Sequence, residues 1–308
     1  MGLPQLVLIT GPTATGKTAL ALELAPRYHA EIVSADSRQV YRYLDIGTAK
    51  PSPAERAAVP HHLLDVVDPD ERFDSARFRT LARAAIQDIM RRGKRVFVVG
   101  GSGLYLRALT RGLFAGPAAD PQLRARLYDQ ERQAGRGFLH RWLCQVDPAV
   151  AARLHPHDTV RVIRALEVFL LSGTPMSQWQ RAHGYRERQF STLMIGLVAD
   201  RETLARRIAH RCCQMIQEGL VDEVRRLWAQ GYGPELPPLR TIGYAQIGAM
   251  LQGRYTLAEA VAEICKETRR LAKRQLTWLR AEPEVRWCPA AQAREVAKMI
   301  DRFYEQGT

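Results

Sequence analysis

LVLITGPTATGKTALALELA, residues 6–25, decides how the rest of the chain is read. The apolar run Leu6–Thr10 predicts a buried strand, and Thr18–Ala25 predicts an Ala/Leu-rich helix. Between them Gly11, Pro12, Thr13, Ala14, Thr15, Gly16, Lys17 and Thr18 fit the pattern G-x-x-x-x-G-K-[ST]. Strand, glycine-bearing loop and helix, in that order, is the context such a phosphate loop requires. Backbone N–H groups at a helix N-terminus form an anion nest. Lys17 adds a point charge, and the Thr18 hydroxyl is suited to hold Mg²⁺. The expected ligand is a diphosphate or a triphosphate.

Further along the chain the alternation repeats. Glu31–Ser34 reads as a strand that ends in Asp36-Ser37-Arg38-Gln39, and a Pro-rich connection containing PHHLLDVVDP follows. A helix is expected around Ser75–Arg91. The β-branched strand Arg95–Val99 then breaks into Gly100-Gly101-Ser102-Gly103. Strands alternating with helices predict an α/β fold, a P-loop NTPase-like parallel sheet flanked by helices. Residues 116–188 show helical periodicity without a strand and read as an inserted helical domain. FSTLMIGLVADR returns to strand character, followed by a long helix, Glu202–Gln230. The expected organisation is a core of residues 1–115 and 189–308 interrupted by the 116–188 insertion.

Composition narrows the class of protein. Of 308 residues, 46% are hydrophobic, enough for a substantial core, and no apolar run approaches membrane-spanning length. The opening residues enter the first strand directly, which leaves no room for a targeting peptide. Five scattered cysteines without a C-x-x-C fit a reducing cytoplasm, and neither a disulfide framework nor a zinc site. Lys and Arg number 45 against 32 Asp and Glu, a formal charge of +13, which suggests a polyanionic partner. On a helical projection of residues 257–280, Lys266, Arg269, Arg270, Lys273, Arg274 and Arg280 share an arc of about 140°. Ile264, Leu271, Leu276, Trp278 and Leu279 face the other way, with Trp278 expected in the core. The cationic arc reads either as a solvated face or as a surface that tracks phosphates.

A phosphoryl-transfer NTPase usually carries an Asp at the end of a later strand to organise Mg²⁺. Here Val96–Val99 ends in Gly-Gly-Ser-Gly, where small residues are expected to admit a second ligand. The alternative position is Asp36, at the end of the second strand, open to three roles: metal organiser, general base or helix N-cap. His61-His62 lacks further His or Cys at ligand spacing and reads as a structural loop. On these grounds alone, a small-molecule or nucleotide kinase is the chief alternative.

Taken together, GPTATGKTALALELA, SADSRQVYRYLDIGTAKP, PHHLLDVVDP, FVVGGSGLYLRAL, RVIRALEV, IGYAQI and TRRLAKRQLTWLR resemble the tRNA dimethylallyltransferases. They occur in order from residue 11 to 280, so the resemblance spans nearly the whole chain. It implies Mg²⁺-dependent transfer of a dimethylallyl group from dimethylallyl diphosphate to N6 of an adenosine. That adenosine lies immediately 3′ of the anticodon in tRNAs reading codons that begin with U. By resemblance Asp36 takes the amine proton, while Lys17, Thr18 and Arg211 serve the departing diphosphate. Ser102, where the family has Thr, keeps a hydroxyl for substrate. The resemblance further implies that the anticodon stem-loop touches Asp36, Ser37, Arg38 and Gln39, then Val160, Arg161, Val162, Ile163 and Arg164. Thr241, Ile242, Gly243, Tyr244, Ala245 and Gln246 form a third contact segment, with Arg124 and Ser102 as additional contacts. The insertion is expected to clamp the stem-loop, and the enzyme is expected to be a cytoplasmic monomer.

Overall fold

A computed structural model describes residues 2–290 and 292–306. The first strand, β1 (Gln5–Thr10), runs into the phosphate loop and α1 (Lys17–Leu24). β2 (Ala30–Ser34) leads through a long loop to α2 (Pro53–Ala58), whose start is closed by a reciprocal Ser52–Glu55 capping box. β3 is only His61–His62. α3 (Ser75–Arg91), capped by the Asp74 carboxylate, returns to β4 (Arg95–Val99), and α4 (Gly103–Arg111) follows.

Five helices come next: α5 (Pro121–Ala134), α6 (Phe138–Val146), α7 (Pro148–Ala151), α8 (Thr159–Ser172) and α9 (Met176–His183). β5 (Ser191–Val198) resumes the sheet and leads to α10 (Arg201–Gln217), α11 (Leu220–Ala229) and α12 (Tyr244–Leu251). The 24-residue α13 (Leu257–Arg280), β6 (Val285–Pro289) and α14 (Ala293–Glu305) complete the order.

Among the described residues the six strands are all parallel, in the order β3-β2-β4-β1-β5-β6. A parallel sheet is covered on both faces, so its strands are apolar throughout. In β1, Val7 and Ile9 join the side chains of α1 and α14 on one face, while Leu6 and Leu8 join those of α3 and α4 on the other. A third cluster packs α10 to α13 against the loop after β2.

The chain divides into two compact units. One holds the residues up to Thr110 and from Gln189 onward, and Arg111–Arg188 forms the other, helical unit with its own core around Leu139, Leu143, Ile163 and Leu166. The first division thus falls after Thr110 rather than after residue 115.

Two expectations about elements change. The Pro-rich connection contains the edge strand β3, where His61 and His62 pair with Ile32 and Val33. It is held there by Glu31, a buried carboxylate bound by Arg92 and by His62, whose Nε2 lies 2.7 Å from Oε2. Arg92 and His62 hold Glu31 down to about 2, against the cost of burial. The expected single helix over 202–230 is two helices. Gly219 at φ 97° adopts a left-handed conformation that turns the chain between α10 and α11.

Candidate active site

Strand register builds the site. Ser34 pairs with Val99, and Val99 with Ile9, so β2, β4 and β1 end side by side. Hydrogen bonds continue past the ladder: Ala35 N–H donates to Val99 O at 2.7 Å and Gly100 N–H to Ile9 O at 3.2 Å. The glycines after β4 serve this close packing, and Gly100 and Gly101 also line the cavity beside the phosphate loop. A Cβ on Gly100 would lie 2.2 Å from Ala35 O, and one on Gly103 would lie 2.3 Å from the Trp278 ring. Trp278 belongs to the apolar packing over the sheet, as the helical projection suggested.

Beside this row the phosphate loop is held by its own atoms. Thr15 Oγ1 and Lys17 Nζ each donate to Pro12 O at 2.8 Å. Ala14 takes φ 63°, a conformation costly for a residue with a Cβ that turns the backbone of the loop. The loop opens on a cavity of about 400 Å³ whose walls include Lys17, Thr18, Asp36 and Arg211.

Electrostatics in the cavity are one-sided. Burial pushes the Lys17 ammonium down to about 8; Asp36 opposes the shift and Arg211 adds to it. Burial also lowers the Arg211 guanidinium, again opposed by Asp36. Two cations are therefore held near one carboxylate with less neutralisation than they need, an arrangement that a bound polyanion relieves. Asp36 acts as a local cap as well as a cavity group. Its Oδ1 accepts from the Arg38 N–H at 2.8 Å and the Gln39 N–H at 3.4 Å. Its Oδ2 carries no hydrogen bond among the described residues, so the cap and a chemical role coexist.

The same cavity suits Mg²⁺ carried on a diphosphate. Such an ion takes most of its ligands from phosphate oxygens and water, and needs only one or two protein groups. The Thr18 hydroxyl, on the cavity wall, matches that requirement. Among the described residues no group of three His, Cys, Asp or Glu side chains forms a separate metal centre.

A family model described as IPP transferase matches residues 39–282. The chain belongs to the IPP transferase family. It is 52% identical over 296 residues to the tRNA dimethylallyltransferase of Syntrophobacter fumaroxidans, covering 96% of this chain and 86% of that protein. It is 54% identical over 283 residues to that of Geobacter metallireducens, covering 92% of each. Two solved structures are also similar. One is the full-length tRNA isopentenylpyrophosphate transferase of Bacillus halodurans, with a TM-score of 0.72 and 39% identity, covering 98% of this chain and 97% of that one. The other is a eukaryotic dimethylallyltransferase acting on tRNA, with a TM-score of 0.81 and 27% identity, covering 98% and 80%.

The matched family span begins after the phosphate loop, so that loop stands on its own geometry. Of the residues that the family resemblance singled out, Lys17, Thr18, Asp36, Arg38, Gln39, Arg211, Thr241, Ile242 and Gly243 line the one cavity. Some of these and several others also have internal partners. Ser102 Oγ accepts from the Ser37 N–H at 3.1 Å and so anchors the Asp36 turn from behind. Both ends of the Gln39 amide are engaged internally: Oε1 accepts from Ser34 Oγ, and Nε2 donates to the carbonyls of Thr48 and Ala49. Tyr244 is buried in the core, its hydroxyl donating to Glu223 at 2.6 Å. Ala245 and Gln246 line a neighbouring hollow instead of the cavity.

In the helical unit Arg124 and Arg164 converge on Glu167, which is fully buried. Val162 and Ile163 are buried in that unit's core, because α8 turns them to the same face as Leu166. Their side chains are therefore removed from an RNA contact surface, whereas Val160 and Arg161 are exposed.

Two residues with structural leverage on the site, Glu223 and Gln275, escaped the sequence reading, and a third, His61, was read there only as part of a loop. Glu223, buried on α11, accepts the N–H groups of Asp45, Ile46 and Gly47 and so fixes the loop that follows Asp36. A buried acid on an otherwise apolar helix face was the available signal. His61 lines the cavity, with Nδ1 2.7 Å from Val59 O. A carbonyl only accepts, so the proton sits on Nδ1; burial lowers the ring's affinity for a second one. Gln275 on α13 bonds the phosphate loop itself, through Thr13 N–H at 2.8 Å.

Proposed function

We propose that this chain is a tRNA dimethylallyltransferase. It moves the dimethylallyl group of dimethylallyl diphosphate to N6 of the adenosine immediately 3′ of the anticodon, in tRNAs reading codons that begin with U. The observation that carries this reading is the convergence of Lys17, Arg211 and Asp36 on one cavity at the mouth of a phosphate loop.

The chemistry asks for that combination. An N–C bond forms at the allylic carbon as its C–O bond breaks; the amine proton leaves and diphosphate departs. An exocyclic adenine amine is a weak nucleophile because its lone pair is delocalised into the ring. The Asp36 carboxylate accepts its proton. The allylic carbon tolerates positive charge, so the barrier falls mainly by stabilising negative charge on the leaving group. Lys17, Arg211 and the loop amides do this. The Thr18 hydroxyl would hold Mg²⁺ together with the diphosphate, and the ion would supply further charge neutralisation. The adenine must leave its stack to enter the cavity. The exposed cations of α13, with Val160 and Arg161 on α8, offer contacts to the RNA backbone.

Among the described residues no helix is long and apolar enough to cross a membrane, and all five cysteines are free thiols. We take the enzyme to work as a monomer in the cytoplasm.

Incubation with Mg²⁺, unmodified tRNA and dimethylallyl diphosphate is expected to yield one prenylated adenosine per tRNA, read by mass spectrometry. Absence of that product, together with ATP-dependent phosphorylation of a small substrate, would replace this reading with a kinase.

A further inference from the structure

α13 carries two surfaces. Ile264, Thr268, Leu271 and Gln275 recur every three or four residues and line the cavity as one stripe. Lys266, Arg269, Arg270 and Lys273 lie in solvent on the same helix. Gln275 connects the helix to the site. Its Oε1 accepts from the Thr13 N–H of the phosphate loop at 2.8 Å, and its Nε2 donates to Gly101 O after β4 at 3.1 Å. The amide fills the gap between those loops, since a Cβ on Gly101 would lie 2.4 Å from Gln275 Nε2 and 3.3 Å from Gly11 O. Pro12 has no N–H and that of Thr13 is committed to Gln275. The anion is therefore left to the amides that follow, past the turn at Ala14.

We infer that Gln275 is a positioning residue that couples RNA bound on the cationic face of α13 to the shape of the diphosphate loop. The inference rests on the tRNA reading given above. A helix with both amide ends of one side chain pinned to two loops cannot shift or rotate without moving them. RNA that fixes α13 therefore fixes Thr13 and Gly101. Such coupling is reciprocal: RNA tightens diphosphate binding by the same factor by which diphosphate tightens RNA binding.

Inorganic diphosphate with Mg²⁺ is a suitable probe because it cannot react with the RNA. Its Kd would be measured calorimetrically with and without an unmodified anticodon stem-loop, for the wild-type chain, Gln275→Met and Gln275→Glu. In the wild type, RNA is expected to lower the diphosphate Kd by about fivefold or more. Gln275→Met keeps the volume and removes both hydrogen bonds, so the ratio should fall to within about twofold of unity, with RNA affinity in the absence of diphosphate unchanged. Gln275→Glu keeps the acceptor for Thr13 and sets a carboxylate against Gly101 O, so the coupling should again be lost. In turnover, KM for dimethylallyl diphosphate should rise about tenfold in the Met variant, with kcat less affected.

Wild-type coupling in both folded variants overturns the inference. So does a loss of RNA affinity with diphosphate coupling intact, which would make Gln275 a plain RNA contact. A wild-type chain that prenylates tRNA but shows no coupling overturns it while leaving the proposed function standing. A wild-type chain that binds no diphosphate removes both.

Discussion

Glu167 in the helical unit and Asp36 in the other unit each face two cations, and the two arrangements behave oppositely. In the helical unit Glu167 is fully buried and accepts from Arg124 Nε and Nη2, each at 2.8 Å, and from Arg164 at 2.5 Å. Asp120 N–H adds a further bond to it. Those contacts hold the Glu167 carboxyl below its usual range despite the cost of burial. In the cavity, Asp36 spends one oxygen on its own turn, and Lys17 and Arg211 stay underneutralised. A closed set of charges is structure. An open set with a cavity between its members is a site for something charged that is still to arrive.

Substitutions at the two carboxylates separate these roles. Asp36→Asn should reduce single-turnover prenylation about 10³-fold while inorganic diphosphate still binds. Turnover within tenfold of wild type would mean that Asp36 is only a cap. Glu167→Gln should leave diphosphate binding in place and destabilise the helical unit by about 3 kcal/mol, because two guanidinium groups lose their counter-charge. Hydrogen exchange in α5 and α8 is the measurement, and unchanged protection there would contradict a structural role for the cluster.

The smallest effect expected is on pH dependence. Lys17 in the ligand-free site loses its proton near 8, and a bound diphosphate favours the charged form and raises that value. Affinity for dimethylallyl diphosphate is therefore full below pH 8. It should weaken by up to about tenfold per unit as pH rises through 8, until the bound form also deprotonates. Lys17→Arg should flatten the profile, since arginine keeps its charge. A profile in the wild type that is flat from pH 7 to 9.5 would show that burial does not perturb the lysine.

Local pattern made much of this legible. The phosphate loop, the parallel α/β order and the two faces of α13 follow from residues within one strand, one turn or one helical stripe of each other. The helical stripe in TVRVIRALEVFLLS also carried the information that Val162 and Ile163 face inward, although reading the segment as a contact motif obscured it. Gln275 and Thr13 were beyond reach, being 262 positions apart. The pairing of Arg124 with Glu167 spans 43 positions and is likewise invisible in a chain rich in arginine.

Periodicity and loop chemistry, then, are short-range, and the sequence by itself determined the fold class, the anion loop and the types of side chain available to the chemistry. Tertiary structure decided which charges close on one another and which are left facing a cavity. Ion pairing depends on distances of a few ångströms between groups brought together only by strand register and helix packing. That is why Lys17 and Arg211 remain open to a ligand while Arg124 and Arg164, equally cationic in the sequence, are spent on Glu167.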